Sequence, residues 1–263
     1  MERLLLPKTR LQDADGKASR KPTFLLPMRW MRAQRKHRSH SQYWNVSFPE
    51  ASQGLEFPAC HSCNQNTKSA EDVASFVGRM YPDPTDPALL DEAVEKLKAL
   101  HNDHPVLVHE IFNPSIQQLE EFRARSDDVP IGTHPLNANG PILNNFMDVF
   151  GTKIALALHY EATRQIVPKT GAVLTRWFSN YEAFSGMLPT FLNDFPTDKT
   201  LQQGTLNVAD QFAYSTRLTK DRGASLHFVS FGQSFAIVAF VYIQGEVVPE
   251  EHRDRLRRPG YWN

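Results

Sequence analysis

The chain has 263 residues, 41% hydrophobic and 22% charged, with a mean hydropathy of −0.44. That length can bury a core as one large domain or two small ones, and the composition excludes disordered and collagen-like classes. No apolar run reaches about 18 residues, so no transmembrane helix and no membrane partner are expected. The opening Met1-Glu2-Arg3-Leu4-Leu5-Leu6-Pro7 is too short an apolar run for a secretory signal, which leaves a cytoplasmic protein as the expectation. The net charge is zero, but residues 1–44 hold 11 Lys+Arg against 3 Asp+Glu, and the rest hold 18 against 26. A basic arm on an acidic body points to DNA or RNA contact through the arm.

In chain order, residues 1–53 read as a basic, poorly patterned arm with one candidate strand, Val46-Ser47-Phe48. Ser69, with Asp72 three residues on, is expected to cap a helix. Its apolar face is Val73, Phe76, Val77 and Met80, and Pro82 and Pro84 stop it. Asp86-Pro87 opens a second helix along Leu90, Val94, Leu97 and His101. Pro105-Val106-Leu107-Val108 reads as a strand. Ser115 and Gln118 form a capping box for a helix through Arg125, and Asp127 to Gly140 is a turn-rich linker. The longest helix is expected from about Asn144 to Ile166, with Phe146, Phe150, Ile154, Ala157, Leu158 and Ala162 inward.

The period then changes to alternation. Ala172–Phe178, Gln211–Arg217, Ser225–Phe231 and Ser234–Tyr242 read as strands, with a hairpin turn at Phe231-Gly232-Gln233-Ser234. The last strand is apolar on both faces and so should be covered on both. Residues 249–263 read as a loose, charged tail. Helices early and antiparallel strands late give an α+β fold. Residues 54–126 form a helical region, and residues 142–248 an α+β C-terminal domain.

The densest chemical signal is Cys60-His61-Ser62-Cys63, the chain's only cysteines, followed by Asn64 and Lys68. Two thiolates separated by two residues can hold one Zn²⁺ from a tight turn. A redox pair of the thioredoxin type needs a strand feeding the pair and a helix starting at the first cysteine. Pro58 before the pair and Asn64, Asn66 and Thr67 after it read as loop instead. A pair of purely structural cysteines is the third reading.

Cys60, Cys63, Asn64 and Lys68 resemble the second zinc knuckle of HNH nucleases, the ββα-metal type. The stretch from Gly54 through Asp72-Val73 is similar to a bacterial group of HNH-like proteins, over roughly residues 54–82. The resemblance implies a partial zinc-knuckle, ββα-like segment with structural Zn²⁺ on Cys60 and Cys63. It also implies Mg²⁺ or a similar ion held partly by Asn64, and a histidine that deprotonates water. His40, about twenty residues before the knuckle, stands where that histidine belongs, so His40 and Asn64 are the implied catalytic residues.

The match is incomplete. There is no upstream Cys-x-x-Cys, and His40 follows Ser39 rather than Asp or Asn. A tetrahedral zinc site is two ligands short, with His37, His40 and His61 as the nearby substitutes. An inactive relative, a reading frame displaced before about Gly54, or ligands drawn from the arm each account for the gap. The expected function is an HNH-like nuclease, hydrolysing phosphodiesters with a metal ion if active, or its inactive remnant. The alternative is a non-catalytic nucleic-acid-binding or interaction protein.

Other groups carry weaker signals. His101, His104, His109 and Glu110 form a loose cluster with metal binding as one reading, but it spans a helix end and the Pro105–Val108 strand, and helix-end placement explains His101 well enough. His159 and Thr163 share a helix face and read as polar surface. His227 reads as a satisfied sheet residue. Trp177, Phe178, Tyr181 and Phe184 read as a core wall rather than a base-stacking platform. No glycine-rich phosphate loop, nucleophile elbow or His-Glu-x-x-His helix is present.

Overall fold

A computed structural model describes residues 24–25, 43–45, 56–80, 87–123, 135–184, 187–194, 199–200, 202–203, 206–207, 212–232, 234–245, 248, 250 and 255–262. Three short strands come first: β1 (Phe24–Leu25), β2 (Tyr43–Asn45) and β3 (Glu56–Pro58). Four helices follow: α1 (His61–Val77), α2 (Pro87–Asp103), α3 (Pro105–Phe112) and α4 (Ile116–Arg123). Then come β4 (Pro135–Leu136), α5 (Pro141–Thr163), β5 (Ala172–Ser179) and α6 (Asn180–Phe184). The last part holds β6 (Lys199–Thr200), β7 (Gln202–Gln203), β8 (Leu206–Asn207), β9 (Ala213–Leu218), β10 (Ala224–Phe231) and β11 (Phe235–Tyr242). The fold is α+β, as the sequence indicates, with an antiparallel C-terminal sheet ordered β5-β11-β10-β9-β6.

The sheet explains the doubly apolar last strand. β11 lies between β5 and β10, with Ile237 opposite both Trp177 and Val229. Its odd-numbered residues, Phe235, Ile237, Ala239 and Val241, enter the main core with Phe150 and Ile154 of α5. Its even-numbered residues, Ala236, Val238 and Phe240, pack with Phe178, Leu188, Phe191 and Leu192 on the other face. Both faces are therefore covered, and a one-residue register slip would exchange two apolar sets of different shape. The β10–β11 turn falls where expected, with Gly232 at φ 53°, a left-handed conformation that glycine adopts without a Cβ clash. Next to it the Ser234 hydroxyl donates to the Gly78 carbonyl at 2.8 Å, tying the end of α1 to this hairpin.

α5 is the central helix. It packs on the sheet with one side and on α1 with another, and Ala70, Val73, Ala74 and Val77 of α1 are buried there. Its start lies three residues before the expected Asn144 because Pro141 takes the first helical position and needs no N–H partner. The Glu110 carboxylate accepts from the Ile142 and Leu143 amides at 3.1 and 2.8 Å. This contact satisfies two orphan donors and places a negative charge at the positive end of the helix. A Cβ on Gly140 would come within 2.1 Å of that carboxyl, so any larger residue there would require the Glu110 side chain to shift. At the other end Arg164 closes α5 in the left-handed conformation.

The Ser115–Gln118 capping box forms reciprocally, with Gln118 N–H to Ser115 Oγ at 3.2 Å and Ser115 N–H to Gln118 Oε1 at 2.7 Å. Residues Pro105–Val108 form the first turns of α3, not a strand. Pro105 at its first position and burial of Leu107 and Ile111 at helical spacing override the β-branched run. Residues 255–262 are docked rather than loose. Arg257 bridges backbone to backbone with Val173 of β5 and reaches Asn145, and Trp262 is 8% exposed. In the arm, β1 pairs antiparallel with β4, and β2 pairs antiparallel with β3. The candidate strand at 46–48 lies outside the described residues, one residue beyond β2.

A cysteine pair at a helix N-terminus

The expected loop after the cysteines is helix. α1 starts at His61, eight residues before Ser69, with Cys60 as its N-cap in extended backbone. The reason is local. The Cys60 sulfur accepts from the Cys63 amide at 3.3 Å and so takes the part a Ser or Asp oxygen plays in a standard cap. Thr67, placed in the loop by its polarity, instead folds its hydroxyl onto its own helix and its neighbours. The segment therefore runs strand β2, strand β3, helix α1, with two residues between Pro58 and His61.

Cys60 is exposed and Cys63 is half-buried. The Cys60 and Cys63 sulfurs lie 2.9 Å apart within hydrogen-bonding reach, and Ser62 Oγ lies 3.1 Å from the Cys60 sulfur. The hydrogen bond from Cys63 is the largest cause holding the Cys60 thiol down at about 7, with Ser62 and the Cys63 amide adding to it. Burial pushes the Cys63 thiol up, and giving its proton to Cys60 adds to this. Near neutral pH the pair therefore divides between two thiols and one thiolate with one thiol, the charge lying on the exposed Cys60 sulfur. Trp262, a member of the core cluster against which Cys63 packs, opposes the rise at Cys63.

Behind the pair lies a polar seam between α1 and α5. Lys153 of α5 is 6% exposed, and its ammonium donates to Asn64 Oδ1 at 3.2 Å, to Thr67 Oγ1 at 2.8 Å and to the Glu71 carboxylate. The Thr67 hydroxyl donates to Glu71 at 2.9 Å. Burial lowers the Lys153 pKa, and Glu71 opposes that. Sequence reading missed Lys153 because it is 82 to 89 residues from its α1 partners and sits in a helix read as apolar.

Of the implied site residues, Cys60, Cys63 and Asn64 lie together on the first turn of α1. His40 lies outside the described residues, as does His37. His61 is exposed beside the pair. Two soft thiolates fit half of a tetrahedral Zn²⁺ set, but among the described residues no group of three or more His, Cys, Asp or Glu converges as a metal site. A hard cation on Asn64 fits less well, because the oxygen it would take already accepts from an ammonium.

The remaining candidates are structural. Glu110 caps α5, His104 is the N-cap of α3 with its ring edge-on to Phe146 at 5.0 Å, and His101 is exposed. Trp177 and Phe178 enter opposite faces of the sheet as core. His159 is fully buried rather than surface. Its Nδ1 is 2.8 Å from Ser225 Oγ, which is 2.7 Å from His227 Nε2, and His227 Nδ1 is 2.9 Å from Thr216 Oγ1. Among the described residues no helix is long and apolar enough to cross a membrane. Compared with family models, curated proteins and solved structures, the chain gives no match in any of the three.

Proposed function

We propose that β2, β3 and α1 form an HNH-like strand–strand–helix unit that binds Zn²⁺ through Cys60 and Cys63, in a chain that is a non-hydrolysing remnant of such a nuclease. The observation that carries the reading is the order β2, β3, α1 with the cysteine pair on the first helical turn, the arrangement the ββα resemblance implies. The non-hydrolysing part rests on Lys153. An ammonium on Asn64 Oδ1 repels a divalent cation from the oxygen that would hold it. The helix N-terminus adds its positive partial charge and favours the thiolate form that zinc requires. No hydrolytic step is assigned to these residues.

The test is metal analysis of the full chain and of Cys60→Ser, together with plasmid nicking in Mg²⁺ or Mn²⁺. Zinc should co-purify with the wild type at up to one ion per chain and be lost from the variant, and no nicking should exceed that of a buffer blank. Wild-type protein without zinc overturns the knuckle. Nicking that disappears in Asn64→Ala overturns the remnant assignment in favour of an active nuclease.

A second reading, non-catalytic nucleic-acid binding, is favoured by the charge division between residues 1–44 and the acidic remainder. The affinity for a DNA duplex should then fall linearly in log–log terms with salt, because each neutralised phosphate releases a counterion. Removing residues 1–44 should flatten that slope. A duplex affinity unchanged by salt excludes the arm as a phosphate-binding element.

A further inference from the structure

We infer that Cys60 and Cys63 form a reversible dithiol–disulfide couple, because the helix cap holds their sulfurs 2.9 Å apart with Cys60 open to solvent and Cys63 half-buried. The inference goes beyond the zinc reading and holds for metal-free protein. Its two structural requirements are those a redox pair needs: a strand, β3, feeding the pair, and a helix capped by the first cysteine.

The geometry assigns different parts to the two residues. Cys60 is the one an external disulfide can reach. Cys63 is half-buried and packs against the core, and the sulfur nearest to it is that of Cys60, 2.9 Å away. The pair needs to close only from 2.9 Å to the roughly 2 Å of a disulfide bond, within one helical turn.

The oxidant class is a small-molecule disulfide such as oxidised glutathione. The Cys60 thiolate attacks one of its sulfurs, forming a mixed disulfide and expelling one glutathione thiolate. Cys63 gives its proton to that thiolate, and its sulfur attacks the Cys60 sulfur. A Cys60–Cys63 bond forms, the mixed disulfide breaks, and the second glutathione leaves as a thiolate that takes up the proton lost by Cys60. Two cysteine thiols are oxidised and one disulfide is reduced to two thiols. Where the chain also carries zinc, closure removes both thiolates from the metal, so oxidation would release it.

The experiment uses the full chain, freed of metal by a chelator and equilibrated in buffers of increasing oxidised-to-reduced glutathione ratio. Samples are quenched in acid, alkylated and weighed intact. The doubly alkylated form should give way in one step to an unalkylated form two hydrogens lighter than the reduced, untreated chain. The glutathione adduct should be at least ~10-fold scarcer in the wild type than in Cys63→Ser, where Cys60 has no resolving partner. Wild-type protein that accumulates the adduct as Cys63→Ser does, or that stays doubly alkylated in excess oxidised glutathione, overturns the couple. Zinc binding without disulfide closure, or closure without zinc, separates this inference from the proposed function.

Discussion

Glu71→Ala should lower the unfolding free energy by ~3–5 kcal/mol at neutral pH, read as a lower urea midpoint at unchanged slope. The magnitude follows from what remains. Lys153 would keep the neutral oxygens of Thr67 and Asn64 but lose its carboxylate while staying almost fully buried. An ammonium in that position stays charged at a cost in solvation or gives up its proton. Burial already lowers the Lys153 pKa and Glu71 is what opposes it, so the variant's deficit should shrink as pH rises toward the alkaline side. Lys153→Met should cost less than Glu71→Ala. The Glu71 side chain is 28% exposed and can recover water, and a methionine fills the space between α1 and α5. If the two variants cost the same, or Glu71→Ala costs under about 1 kcal/mol, the pair behaves as an exposed one and does not hold α1 on α5.

The contrast between Lys153 and Ile237 shows what a sequence displays. Ile237 stands in a run of eight residues, Phe235–Tyr242, whose length, composition and flanking turn each indicate a buried strand, and the structure agrees. The Ser115–Gln118 box and the Gly232 turn were equally legible, because each is a short-range rule with its partners two or three residues apart. The start of α1 was not legible, because a cysteine sulfur took the capping role that Ser69 advertises more openly. The α3 helix was hidden for a related reason. Val106 and Val108 favour strands intrinsically, but Leu107 and Ile111 have a core to reach only if the segment coils. For the candidate site, the pair Cys60 and Cys63 was visible as spacing. The cap is local but is made by a sulfur, and the lysine behind the pair belongs to α5, 82 to 89 residues beyond its α1 partners.

His159 makes the same point and leads to the second large effect. In sequence it sits beside Tyr160 and Glu161 and suggests surface, whereas in the fold it is one end of a buried chain through Ser225 and His227 to Thr216. One proton per imidazole satisfies that chain in either direction, leaving His159 Nε2 without a partner. Burial, with repulsion from His159 second, holds the His227 pKa down at about 3, and burial lowers that of His159. Among the described residues no carboxylate hydrogen-bonds either ring. The sign follows from linkage. Above the ordinary histidine value of about 6.5 neither state carries the proton and these groups contribute no pH dependence. Below it the unfolded chain protonates while the folded one does not, so stability falls by about 1.4 kcal/mol per pH unit for each such histidine until its folded pKa is reached. For His227 the window runs from about 6.5 down to about 3. By about pH 4.5 that histidine alone should cost roughly 3 kcal/mol, a large share of the ~5–15 kcal/mol that holds a typical domain folded. Asp72 and Asp148 act the other way, since burial raises their pKa values and protonation favours their folded forms. Subtracting a variant isolates the histidine from them. Urea unfolding of the wild type and of His227→Gln between about pH 6.5 and 4.5 should differ in slope by close to one proton, with His159→Gln as the parallel variant. Equal slopes in all three proteins would mean that the buried imidazoles take up their protons without unfolding, and that the Thr216–His227–Ser225–His159 chain is open to water.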